Sequence, residues 1–233
     1  MKKRLTILLG FFFPLCVIGQ QPFKQEISVG ASYGMGVSSV SFTPRIQTQQ
    51  LLGSQFGFTA RWMTEKHLGL LLEVNYSQQG WDEKFEDINN PTLKLDYKYT
   101  HRINVIEIPF MTHIYFGSER FRFFVNLGPK IGFVTGESID ENVIGREAEL
   151  PSPSNSGTYS MLREKPLDNK FAWGLCGGPG LELRTKAGIF QLEGRYSYGL
   201  GDFFNNRLGA DFGKSSSQVM FGKFTWMLPV YQR

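Results

Sequence analysis

From about residue 25 onward, apolar and polar residues alternate with a period of two, the spacing of strands whose two faces meet different surroundings. Eight segments carry the pattern, roughly 26–36, 54–64, 67–79, 95–115, 121–136, 170–184, 187–199 and 217–228. No stretch of this region shows a sustained helical stripe. The first, third, fifth and seventh connections run to about 17, 15, 33 and 17 residues, beyond ordinary hairpin lengths. The second, fourth and sixth are short: Glu65-Lys66, Gly117-Ser118-Glu119-Arg120 and Thr185-Lys186. Long-short alternation over an even number of strands predicts an all-β fold, an eight-stranded antiparallel up-and-down barrel with one decorated end and one trimmed end.

Parity along each strand separates a bulky apolar face from a small and charged one. Phe171, Trp173, Leu175, Leu181 and Leu183 oppose Ala172, Gly174, Cys176, Gly178, Gly180, Glu182 and Arg184. Phe190, Leu192, Tyr196 and Tyr198 oppose Gln191, Glu193, Arg195 and Ser197. Phe56, Phe58 and Trp62 oppose Gly57, Thr59 and Arg61, and the other strands repeat the scheme. A soluble barrel would put the apolar face inside and a membrane barrel would put it outside. An eight-stranded barrel has an interior that side chains just fill. Several Phe, Trp, Tyr and Leu from each strand would overfill it, whereas Gly, Ser and Ala with a few long charged residues fit. The bulky face is therefore expected to look into lipid, making this a transmembrane β-barrel.

Glu73, Glu107, Glu182 and Glu193 then share the lumen with Arg61, Arg122, Arg184, Arg195, Lys130 and Lys223. Unpaired buried charges are costly, so these residues are expected to form a salt-bridged structural network. Channel-forming barrels need many more strands than eight, so the network reads as a polar filling and no pore is expected. Trp62, Tyr115, Phe121 and Trp226 fall near the short-turn end, and Tyr33, Tyr76, Tyr97, Phe133, Trp173 and Tyr198 near the long-loop end. Two such bands suit the two membrane interfaces. The fourth strand departs from the scheme, because extending the phase of Ile106, Ile108 and Phe110 puts Arg102 and Asn104 outward. Either a bulge shifts the phase near Val105 or this part lies above the lipid; the second reading is preferred. Pro109 has no N–H to donate, so a local irregularity is expected there.

The first twenty residues have the form of a secretory leader: basic Lys2-Lys3-Arg4, an apolar run from Leu5 to Ile18, and Gly19-Gln20 as cleavage flanks. The expected domains are thus a signal peptide over 1–20 and an outer-membrane barrel over 21–233. Cys16 follows Leu15, which does not suit lipidation. Without the leader, Cys176 is alone and makes no internal disulfide. The net charge of +4 shrinks on cleavage to 22 basic against 21 acidic residues, leaving no basic patch for nucleic acid. A hydrophobic fraction of 41% lacks the apolar runs of a helical membrane bundle.

A catalytic reading has little to build on. Nucleophilic catalysis needs a Ser or Cys within reach of an oriented base. His67 sits at a short turn, while His101 and His113 lie near opposite ends of the fourth strand. The parity of Glu107 points His113 into the lumen. Three scattered histidines and one cysteine give no metal-ligand spacing, and no cofactor is expected. Gly174 to Gly180 lies inside a strand and has no phosphate-loop Lys after it. Ser39 to Arg45 and Phe203 to Lys214 read as polar loops with scattered aromatics.

Four segments carry a resemblance. Asn104-Val105-Ile106-Glu107-Ile108-Pro109-Phe110 resembles the "YLEIP" segment of the PorT-like outer-membrane β-barrel family of Bacteroidota, with Val-Ile in place of Tyr-Leu. Phe124 to Gly132 is similar to that family's next strand, Gly177 to Glu182 to its sixth, and Gly194 to Leu200 to its "RYsyGL" segment. The order and spacing of these motifs span about 26 to 228. The resemblance implies an outer-membrane location, contact with membrane lipid and lipopolysaccharide, and a link of the founding member to type IX protein export. The leading expectation is a monomeric, non-catalytic barrel acting through its long outer loops, with residues 137–169 as contact surface, or as an accessory to envelope or secretion proteins. The alternatives are a lipid-modifying barrel enzyme, with His101 or His113 beside a Ser and an acid at the lipid-facing rim, and a soluble ligand-binding barrel.

Overall fold

The computed structural model describes residues 24–43, 48–83, 99–141, 167–205 and 213–232. The expected leader over 1–20 and Tyr97 lie outside the described residues. Eight strands follow in chain order: β1 (Glu26–Thr43), β2 (Thr48–Glu65), β3 (Leu68–Glu83), β4 (Tyr99–Gly117), β5 (Phe121–Glu141), β6 (Phe171–Thr185), β7 (Gly188–Gly199) and β8 (Lys214–Gln232). Each pairs antiparallel with its neighbour in sequence, and β1 pairs with β8 from Glu26↔Gln232 to Thr43↔Lys214, so the sheet closes on itself. Closure removes the open edges that hydrocarbon does not tolerate.

The bulky face looks outward. Phe58, Trp62, Leu127, Trp173, Leu192, Met220 and Phe224 are exposed on the outside, while Arg61, Glu73, Asn126, Glu182, Arg195 and Lys223 are buried inside. This orientation excludes the soluble barrel, which needs the apolar face within. Tyr115 departs from the expected interface band. It shares the inward parity of Glu107 and is buried against Met63 and Phe124 inside the barrel.

β1, β2, β3, β5 and β8 are longer than the hydrophobic alternation indicates. β1 and β2 leave only residues 44–47 between them, so the first outer connection is a four-residue link and the long-short rhythm fails there. Ser39–Thr43 belong to β1, residues 137–141 to β5 and Lys214 to β8. The cause is a reversal of the pattern at the outer end. In β1 the outward positions change from Val29, Ala31, Tyr33 and Met35 to Ser39 and Ser41, while the inward ones change from Ser28, Ser32 and Gly34 to Val40 and Phe42. β4 reverses likewise, with Arg102 and Asn104 outward and Ile103 and Val105 inward above Ile106 and Glu107. Inward and outward positions alternate in β4 without a break from His101 to Tyr115, so Arg102 and Asn104 lie above the lipid-facing belt and not after a phase shift. The irregularity is on the partner, where Asn104↔Gly136 is followed by Val105↔Val134 and Thr135 is the extra residue. Beside Pro109, the β3–β4 ladder is interrupted between Leu72↔Phe110 and Asn75↔Glu107, as a missing N–H requires.

Candidate functional site

Among the described residues, ionisable groups from many strands gather in the lumen, which divides into two regions. The lower one, toward the short turns, begins with Glu26, Arg61, Arg122, Glu182 and Arg184. Arg61 on β2 reaches across the barrel to Glu182 on β6, with no exposed surface on either side chain. It also contacts Glu26 at 3.5 Å. Arg184 pairs with Glu26. Arg122 lies 3.4 Å from Glu182 and 4.1 Å above the ring of Tyr115. Gln191 donates to Glu182 at 2.7 Å.

The next level joins opposite walls again. Arg195 on β7 grips Glu73 on β3 with two donors, at 2.5 and 3.1 Å, the fork geometry that makes arginine–carboxylate pairs strong. Its other edge donates to Glu193 at 2.8 Å twice. Lys223 on β8 donates to Glu73 at 2.5 Å. Asn75 donates to Glu73 at 2.8 Å and Asn126 to Glu193 at 3.0 Å. Above this, Lys130 pairs with Glu107 at 2.6 Å, and Gln55 donates to the same carboxylate at 3.1 Å. The ten charged positions singled out in the sequence therefore all touch an opposite charge here, in three groups. Glu26 and Gln55 were not singled out in the sequence, and the amides Asn75, Asn126 and Gln191 share the small polar face but were not assigned to the network. Glu26 shares the inward parity of Ser28 and Ser32, which is the signal that could have found it.

The upper region is apolar. Val40, Phe42, Trp81, Tyr99, Ile103, Val105, Leu167, Phe203 and Phe204 form one buried cluster inside the mouth. Phe42 meets Trp81 edge-on at 5.3 Å between ring centroids. Phe203 and Phe204 come from the segment read as a polar loop; they are instead sunk into the barrel. Two chain segments carry the cap. Asn169 N–H donates to the Phe203 carbonyl at 3.0 Å, and its side chain to the Asp202 carbonyl at 2.9 Å. Asn205 N–H donates to Asp168 at 2.9 Å. Phe204 N–H donates to Ser215 Oγ at 2.9 Å.

Gly80 sits where the two regions meet. Its φ of +151° is in the range that favours glycine. The β2–β3 register shifts by one residue nearby, between Gln50↔Trp81 and Gln55↔Ser77. Ser38 bridges the gap from β1, accepting from Gly80 N–H at 2.8 Å and donating to its carbonyl at 3.0 Å. Trp81, on the same inward parity as Glu73 and Gln79, is the next residue and enters the mouth. Several inward atoms below it, Gln55 Oε1, Ser77 Oγ and Gln79 Oε1, have no hydrogen-bond partner among the described residues. Buried polar groups of this kind are normally satisfied by ordered water.

Among the described residues, neither inward histidine is set up as a base beside a nucleophile. His101 stacks on Trp81 at 4.5 Å and lies 3.2 Å from Glu137, which also accepts Leu167 N–H at 3.3 Å. His113 meets Asn126 Oδ1 at 2.7 Å through Nδ1. His101 Nδ1 and His113 Nε2 have no hydrogen-bond partner among the described residues. Both rings lie in the lumen, not at the lipid-facing rim that the enzyme alternative requires. His67 stays at the short turn, 3.1 Å from the Tyr115 carbonyl. Cys176 is a buried free thiol facing the lumen.

The search of curated proteins returns no match. Among solved structures, the chain is similar to the Neisserial surface protein NspA, with 10% identity over 88% of this chain and 98% of that one and a TM-score of 0.43. It is similar to OprG of Pseudomonas aeruginosa, with 15% identity over 91% and 95% and a TM-score of 0.43. It is also similar to the outer membrane enzyme PagL, with 12% identity over 86% and 99% and a TM-score of 0.44. A family model for the outer membrane protein beta-barrel domain matches residues 20–205, most of the sequence, so this closed, lipid-facing barrel belongs to that family and resides in the outer membrane.

Proposed function

We propose that the protein is a monomeric, non-conducting and non-catalytic barrel of the outer membrane that works through its outer end, on surface or envelope partners. The carrying observation is the filled lumen. Arg61–Glu182 and Arg195–Glu73 each span it from wall to wall, and the aromatic cap lies above. A barrel occupied in this way is a rigid post, and its remaining means of action are the surfaces it holds outside the membrane. The segment 137–169 is proposed as the contact surface; its ends are built into β5 and the cap, and residues 142–166 lie outside the described residues. A leader over 1–20 that exports the chain, contact with lipopolysaccharide, and an accessory role in secretion of the PorT kind belong to the same reading.

Three measurements test it. Purified protein in planar bilayers is expected to give no conductance steps; regular steps would refute the filled lumen. Affinity capture from envelopes is expected to recover a partner with the intact chain and to lose it when 142–166 is replaced by a short linker. Recovery unchanged by that replacement would refute the assigned surface. Mass spectrometry of membrane lipids is expected to show identical acylation with and without the protein; a changed acyl count would make it a lipid-modifying enzyme instead.

A further inference from the structure

The outer face of the barrel is not uniformly convex. Where β1 and β2 run side by side, Ala31 and Ala60 form the floor of a groove of about 440 Å³. Phe58 and Val74 rise along one side, and Trp226 and Leu228 along the other. The register makes this a built depression. Ala31 lies opposite both Phe58 and Trp226, and Ala60 lies opposite Val29 and Leu72. On the other side of Trp226 the neighbouring outward pairs are bulky, Phe190 beside Trp226 and Leu192 beside Phe224, and small residues return only at Gly194 opposite Gly222. The Trp226 indole donates to the Ala187 carbonyl at 3.1 Å in the β6–β7 turn, which fixes the lower end of the groove at the short-turn interface.

We propose that this groove holds one acyl chain of a phospholipid of the periplasmic leaflet. The side chains that line it outward are hydrocarbon, or in Trp226 an indole whose N–H is already bonded, so they offer no donor or acceptor to a peptide. The groove is continuous with the lipid-facing belt and opens beside an interfacial tryptophan, where a headgroup sits. A second copy of the chain is the competing occupant, and the experiment separates the two. Lipid tails are as apolar as leucine, so no hydrophobic gain drives occupancy. What favours the site is dispersion contact on three sides of the chain instead of one. The preference over surrounding lipid is therefore modest.

Trp226 reports on the groove directly. In a Trp62→Phe/Trp173→Phe background the remaining tryptophans are Trp226, in the groove wall, and Trp81, enclosed in the mouth. The protein is reconstituted in phosphatidylethanolamine–phosphatidylglycerol vesicles containing increasing brominated-chain phosphatidylcholine. Half-quenching is expected at a bromolipid fraction roughly threefold lower than in an otherwise identical Ala31→Leu/Ala60→Leu variant, whose groove is filled. Superimposable curves overturn the proposal. Native mass spectrometry after gentle extraction is expected to retain a phospholipid on the parent and not on the filled variant. Retention of a second barrel in its place, lost on filling, assigns the groove to a subunit contact and also overturns the proposal. Folding of both chains is checked by heat-modifiable migration, and Ala60→Leu alone replaces the double variant if that fails to refold.

Discussion

At the level of Glu73 the lumen holds Arg195, Lys223 and Glu193; further along the same strand, at Trp81, it holds Phe42, Ile103 and Phe204. The two regions are enclosed by the same eight strands and differ in what lies outside them. Below, the exterior is hydrocarbon, the bulky side chains face out, and the interior is left to long polar residues that must satisfy one another. Above, the exterior is water. The polar residues Ser39, Ser41, Arg102 and Asn104 take the outside and the apolar ones turn in, as in a soluble protein. One barrel thus contains a membrane-type interior and a water-type interior stacked end to end. The lower half is specified by paired charges and the upper half by packing.

This difference can be broken from either side. The largest expected effect is Arg195→Ala, which leaves Glu73 and Glu193 short of their shared cation. Removing one member of a buried ion pair costs about 3–5 kcal/mol, read as a lower urea midpoint for unfolding from lipid vesicles. Glu73→Gln with Lys223→Met removes one charge of each sign and is expected to cost less than either single change; a fully additive loss would mean that the pair is not coupled.

Trp81→Ala attacks the other region. A large aromatic truncated in a packed core costs about 3–5 kcal/mol where the loss is global. Here the cap is separate from the charge network, so cleavage by added protease near 200–205 is expected to rise while heat-modifiable migration persists. Loss of both together would show that the regions fold as one unit. Gly80→Ala is expected to cost about 1–2 kcal/mol from backbone conformation, with further loss because its Cβ would crowd the His101 carbonyl. The same protease assay should detect it.

The smallest expected effect is that of salt. The Arg61, Glu182, Arg195 and Glu73 side chains are almost fully enclosed, and buried pairs are screened far less than exposed ones. The unfolding midpoint is expected to move little between low and high salt. A steep dependence would place the network in open contact with solvent.

The period-two parity of Phe171 to Leu183 or Phe190 to Tyr198 was enough to read strand number, closure and the outward direction of the bulky face, because lipid demands a continuous apolar exterior and a small barrel has no room for that face inside. The same parity picked out Arg61, Glu73, Glu107 and the other lumenal charges as sharing one side. Their partners were not legible. That Arg61 meets Glu182 and Arg195 meets Glu73 depends on which strands oppose across the barrel, and those residues are separated by more than a hundred positions in the chain. Above the lipid the same rule misled. Val40, Phe42 and Trp81 are apolar residues on the parity of the polar lumen, so they read as loop, and Phe203 and Phe204 carry no alternation at all. What the sequence determined is what one uniform solvent, the hydrocarbon belt, imposes on every strand in turn. What only the tertiary structure decided is where that solvent stops, because the outer mouth is closed by side chains from segments far apart in sequence, and their burial exists only once the barrel has brought them together.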